Sequence, residues 1–168
     1  ITDCLHEIGN EVADFFQWYA ELADKSFGKV APTGEDAMAL VVKEPAGVVG
    51  LVLPWNFPLL MAAWKLAPAL AAGCSCIVKP AEQTPLTALR LAELAREAGV
   101  PDGVLNILPG LGETTGQAIG RHADIDIVSF TGSTEVGGYF LRYAGESNLK
   151  SIGLEMGGKS PFIVLDDA

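Results

Sequence analysis

Five short clusters carry residue types that could do chemistry, and each follows an apolar run: Pro54-Trp55-Asn56-Phe57-Pro58, Lys79-Pro80-Ala81-Glu82, Pro109-Gly110-Leu111-Gly112, Thr131-Gly132-Ser133-Thr134 and Glu155-Met156-Gly157-Gly158-Lys159. In the first, two prolines fix the backbone around Trp55-Asn56 and give the Asn56 amide a set direction. A rigid amide N–H₂ is what charge developing on a carbonyl oxygen requires. The plainer alternative is a polar turn residue satisfying backbone groups. Glu155 lies between an apolar stretch and a glycine pair. A carboxylate in apolar company is pushed toward protonation, which suits a general base near neutral pH; a capping glutamate, or one paired with Lys159, is the structural alternative.

Lys79 and Glu82 stand three residues apart. A carboxylate there can accept from a ribose diol while the lysine donates to the same sugar, although a surface ion pair explains the spacing equally well. A 2′-phosphate beside Glu82 would be repelled, so the pair favours NAD over NADP. Thr131-Gly132-Ser133-Thr134-Glu135-Val136-Gly137 leaves an apolar run and opens a helix. Gly132 suits the turn, Ser133 or Thr134 can cap, and free N–H groups with the helix dipole favour a phosphate. An ordinary helix cap is the alternative. Gly110-Leu111-Gly112-Glu113-Thr114-Thr115-Gly116 is one residue too long for the usual dinucleotide fingerprint and reads as a glycine-rich turn open to a flat base.

The three cysteines, Cys4, Cys74 and Cys76, have neither a disulfide-framework spacing nor the partners of a zinc site. No metal site is expected, and a reducing, cytoplasmic setting is the default. Cys74 and Cys76 fall on one side of a strand as small core residues. Trp18 and Trp64 read as packing residues, and His6 and His122 have no visible partner.

These clusters need a frame that gathers them. Apolar runs at Val48–Leu53, Cys74–Val78, Val104–Leu108, Ile125–Phe130 and Ser151–Leu154 read as strands, with Phe162–Leu165 as a sixth. Helical stretches at Leu59–Ala72, Pro85–Ala98, Glu113–Arg121 and Thr134–Ala144 separate the first five. Alternation of this kind implies right-handed crossovers and a parallel sheet with helices on both faces, its ligand seated beyond the carboxyl ends of the strands. The fold class is α/β, a doubly wound, five-stranded, Rossmann-like sheet. An apolar stripe from Leu5 through Tyr19 and Leu22 predicts a preceding helix over about Asp3 to Asp24. Gly28 to Glu44 reads as an extended arm or hairpin available to a neighbouring chain. The organisation is therefore a helix over 1–26, an arm over 27–45 and the sheet domain over 46–168.

The 168 residues suffice for one domain, but 49% are hydrophobic, 19 are glycine and only 19% are charged, which leaves more apolar surface than such a domain readily hides. With 11 basic against 21 acidic residues the net charge is −10, which disfavours nucleic acids and anionic membranes. Pro45 to Trp64 lacks charge, but its prolines and glycines break any spanning helix. No secretory signal is visible. The chain opens on Ile1 and closes on an apparent strand, and is expected to be a piece of a longer protein.

In order and separation, Pro-Trp-Asn-Phe-Pro at 54–58, Trp-Lys-Leu-Ala-Pro-Ala-Leu-Ala-Ala-Gly at 64–73, Lys-Pro-Ala-Glu at 79–82, Phe-Thr-Gly-Ser-Thr-Glu-Val-Gly at 130–137 and Leu-Glu-Met-Gly-Gly-Lys-Ser-Pro at 154–161 resemble the NAD(P)-dependent aldehyde dehydrogenase superfamily. The resemblance implies oxidation of an aldehyde to a carboxylic acid through a cysteine thiohemiacetal and thioester. It implies that Asn56 stabilises the oxyanion and that Glu155 activates the hydrolytic water. Lys79 and Glu82 would contact the adenosine ribose, with Leu53 and Trp55 lining the cofactor groove. Gly112 would lie near the adenosine half, Ser133 and Val136 beside the pyrophosphate, and Phe130 and Gly132 in the same groove. Met156 and Gly157 would run past the nicotinamide. The first forty-odd residues would be the helix and oligomerisation arm of a homodimer or homotetramer.

The family's nucleophilic cysteine follows the Glu-x-Gly-Gly-Lys motif by a few dozen residues and matches neither Cys74 nor Cys76. The chain by itself is thus expected to bind cofactor, oxyanion and water but to be inactive. Similarities at Ala31–Ala37 and Tyr143–Asn148 point to bacterial aminoaldehyde dehydrogenases, including those acting on γ-glutamyl-aminobutyraldehyde. A catalytically inactive NAD-binding or oligomerisation module is the alternative. A related acylating enzyme is a third reading, disfavoured because it needs no base such as Glu155.

Overall fold

The computed structural model of the chain describes residues 5, 9 and 11–166. Helix α1 spans Val12–Leu22, so the expected start near Asp3, with Cys4 and His6, lies outside the described residues. A two-stranded antiparallel hairpin follows, β1 (Lys29–Ala31) and β2 (Ala39–Val41), with Val30 opposite Leu40.

Next come β3 (Val48–Val52), α2 (Pro58–Ala71), β4 (Ser75–Lys79), α3 (Leu86–Glu97) and β5 (Leu105–Ile107). Gly73 and Gly99 end α2 and α3 at φ values of 78° and 90°, left-handed conformations that residues with a β-carbon adopt at a cost. Where one helix was expected over Glu113–Arg121, a π-helical turn (Gly112–Gly116) runs into a short α4 (Gln117–Arg121). The sheet closes with β6 (Ile127–Gly132), α5 (Thr134–Gly145) and β7 (Ser151–Met156). Phe162–Leu165 is irregular rather than a strand, unpaired among the described residues, and Phe162 is 92% exposed.

The strand order is β5-β4-β3-β6-β7, all parallel, so the chain winds outward from β3, returns, and winds out the other way. The reversal point lies between β3 and β6, where sheets of this kind leave a crevice. Two apolar cores flank the sheet. Val49, Leu51, Leu53, Cys76 and Val78 pack on one face under α2, with Phe16 of α1 and Leu91 of α3. Val52, Val128 and Phe130 pack on the other with Ile119 of α4 and Phe140 of α5. The period of two therefore decides which face each strand residue serves. Trp64 and Trp18, expected to pack, are half exposed; Trp64 stacks on Phe15 with ring centroids 5.7 Å apart. Among the described residues no helix is long and apolar enough to cross a membrane.

Candidate functional site

Lys79 ends β4 pointing toward the α4–α5 face. Its side chain is 4% exposed, so its partnership with Glu82 is not a surface ion pair. Nζ donates to Glu82 Oε1 at 3.2 Å and to the Pro80 carbonyl at 3.0 Å. The same Glu82 oxygen accepts the Gly112 N–H at 2.6 Å. One carboxylate thus ties the end of β4 to the turn after β5. Burial alone would raise the Glu82 pKa, but hydrogen bonds from its own backbone, Lys79 and Gly112 outweigh it and hold the carboxyl below its ordinary value.

Ser133 sits in extended conformation before α5, and its Oγ accepts the Val136 N–H at 3.3 Å. The first turn of α5 therefore opens beside the end of β6. Gly132 serves close approach rather than a turn, because a β-carbon there would lie 2.6 Å from Phe130 Cζ. Phe130 is held in turn by Phe140, with centroids 5.1 Å apart. Glycine at 137 lets α5 settle on β7, since a β-carbon would collide with the Met156 sulfur.

The opposite face carries a different set. In register, Thr131 lies beside Glu155 on the two neighbouring strands. Lys65 of α2 reaches the same face, donating to Ser129 Oγ at 2.8 Å. Desolvation lowers the Lys65 pKa to about 8, and the Glu155 charge opposes the fall. Sequence reasoning placed Glu155 in apolar company; it is exposed, with this lysine amine near enough to feel its charge. The physical reason is that β7 is the outer strand of the sheet. Thr131 Oγ1 is buried with no hydrogen-bond partner among the described residues. Asn56 and Trp55 follow β3 at the reversal point, and both are exposed.

A groove of about 1520 Å³ takes these groups into its wall at the carboxyl ends of the strands and extends past α2 to Ala46, Ala72 and Cys74 near the amino ends. Leu53, Trp55, Asn56, Lys79, Glu82 and Gly112 line it from β3, β4 and the turn after β5. Phe130, Gly132, Ser133, Val136, Glu155 and Met156 line it from β6, α5 and β7. Gly157 does not reach its wall and lies exposed beyond β7. Lys65 and Tyr139 line it too and were missed. Lys65 had a signal, as the first charge after the uncharged stretch from Pro45; Tyr139 had none. Cys74 and Cys76 are buried in the α2-side core as expected, and burial pushes the Cys76 thiol up to about 12. His122 has a local partner after all, its Nδ1 accepting the Asp124 N–H at 3.2 Å.

This arrangement has counterparts of known kind. The family model of the aldehyde dehydrogenase family matches residues 1–168. The chain belongs to the aldehyde dehydrogenase family. It is 59% identical over 167 residues to the aminoacetaldehyde dehydrogenase of Pseudomonas aeruginosa, covering 99% of this chain and 34% of that one. It is 56% identical to the NADP/NAD-dependent aldehyde dehydrogenase PuuC of Escherichia coli, covering 90% of this chain and 30% of the relative. A solved indole-3-acetaldehyde dehydrogenase complexed with NAD+ superposes with a TM-score of 0.89 at 52% identity, over 92% of this chain and 32% of that one. The chain thus spans about a third of the length of these aldehyde dehydrogenases.

Proposed function

We propose that this segment forms the cofactor half of an NAD-dependent aldehyde dehydrogenase that oxidises an aldehyde to a carboxylic acid. The observation that carries the reading is the shared Glu82 oxygen, bonded to Lys79 Nζ and the Gly112 N–H on the face where α5 presents its capped N-terminus. The donor set fits a dinucleotide. Lys79 and Glu82 offer a cation and a carboxylate to a ribose diol, glycine at 112 admits a flat group, and the start of α5 suits a pyrophosphate. The Glu82 charge would repel a 2′-phosphate, which supports NAD over NADP. When bound, NAD supplies the acceptor for hydride.

The chain's own residues divide the remaining work by sheet face. Asn56, exposed at the reversal point, is suited to donate its amide to a developing oxyanion. Glu155, exposed on the other wall, is suited to take a proton from water, with Lys65 close enough to bias its charge. The attacking thiol comes from neither Cys74 nor Cys76, because both are buried and the Cys76 thiol is held protonated. The likeness to the Pseudomonas aeruginosa protein supports aminoaldehydes as the substrate class.

A chimera tests this: residues 1–168 replace the matching third of that relative, and NADH formation is followed with aminoacetaldehyde. The expected outcome is turnover with NAD that falls about 10²- to 10³-fold in N56A and about 10²- to 10⁴-fold in E155Q. A folded chimera that binds NAD but does not turn over would favour the inactive-module reading.

A further inference from the structure

We propose that Lys65 is an aldehyde-capturing amine, a covalent modification site on the α2 side of the groove. Met61, Lys65 and Pro68 recur at steps of four and three, so one face of α2 turns all three to the groove. Ser129 and Thr131 answer from alternate positions of β6. The partly buried Lys65 amine spans the gap and donates to Ser129 Oγ at 2.8 Å. It stands on the wall that carries Glu155, and the capture rests on the reading of that wall as the aldehyde's place.

A lysine amine attacks a carbonyl only after losing its proton. Among the described residues Lys65 makes no ion pair, and α2 carries no second charge. Ser129 and Thr131 are neutral, and α1 and α3 pack toward α2 with Phe15, Phe16 and Leu91. The Glu155 carboxylate of β7 is the charge that acts on the amine, and desolvation outweighs it, bringing the pKa to about 8. About one amine in ten is then free at pH 7, against fewer than about one in a thousand for an ordinary lysine. The lone pair adds to the aldehyde carbon, and the nitrogen gives up both hydrogens with the carbonyl oxygen as water. Amine and aldehyde thus become imine and water with no oxidant or reductant, and the capture withdraws aldehyde from oxidation. Lys150 supplies the contrast. Its amine is also desolvated below the ordinary value, but it is buried off the groove, donating to the Gly120 carbonyl at 2.7 Å and Ser147 Oγ at 2.9 Å.

Propanal with cyanoborohydride tests the assignment on the 168-residue chain at pH 7. The reductant fixes each imine as a secondary amine, and peptide mass spectrometry reads each lysine separately. Lys65 is expected to be labelled about tenfold or more faster than the exposed Lys25, Lys29 and Lys43. Lys150 should stay unlabelled, and the lead of Lys65 should shrink toward pH 10 and vanish in urea. K65R is expected to lose the fast site without gaining another. Lys65 labelled no faster than the exposed lysines, or Lys150 labelled as fast as Lys65, would overturn the assignment. The labelling needs neither NAD nor turnover, so its failure is distinct from a chimera that fails to oxidise aldehyde.

Discussion

Oε1 of Glu82 already accepts two donors, Lys79 Nζ and the Gly112 N–H, so a ribose diol must share that carboxylate rather than find it empty. E82Q removes the charge and keeps the shape. It is expected to weaken NAD by about tenfold and to narrow the gap to NADP, read by paired calorimetric titrations. Because the folded-state pKa of Glu82 is depressed, its contribution is present above the ordinary carboxylate range and lost as pH falls through the folded value. Glu82 should accordingly stay ionised, and NAD affinity flat, from about pH 6 to 8. Lys65 works in the other direction: its amine is expected to titrate near 8 by NMR of the methylated side chain, and lower still in E155Q. The unfolded chain then holds the extra proton between about 8 and the ordinary lysine value, so Lys65 opposes folding at neutral pH and that penalty fades as pH rises through this window. Lys79 and Glu82 were legible in the sequence because their relation is local. Lys65, bonded to Ser129 of β6, and Glu155 of β7 come to one face through strand parity, which spacing along the chain does not reveal.

Alternation along each strand sorts the chemistry, with Lys79 and the start of α5 on one face and Lys65, Ser129 and Glu155 on the other. The strand–helix beat was readable because buried parallel strands are continuous apolar runs bounded by glycine and proline. Two details were not. The π turn opens on Gly112, whose N–H bonds Glu82 thirty residues away, and Phe162–Leu165 has the composition of a strand but is unpaired among the described residues. S133A is expected to lower stability by about 1 kcal/mol through the lost cap, measured in urea, and to weaken NAD as well. Gly50 lies where α4 crosses the sheet, and a β-carbon there would sit 2.6 Å from Ile119 Cγ2. G50A is expected to cost about 1–3 kcal/mol and to displace the π turn that α4 continues.

At the scale of the molecule, the low charge content agrees with the apolar side chains left in water, among them Phe27, Val30, Met38 and Leu40 on or beside the hairpin. A two-stranded ribbon has unpaired edges and is marginal by itself. We expect the hairpin to dock on another copy of the chain: size-exclusion chromatography should show a dimer or larger species that L40E shifts toward monomer. A wild-type monomer at every concentration would contradict that. The most direct test of the cofactor groove is an amide NMR titration of the chain with NAD. Saturable shifts at Gly112, Gly116, Ser133 and Val136 are the expected result; no saturable shifts, or shifts centred on the separate depression at Arg96 and Gly103, would contradict the account.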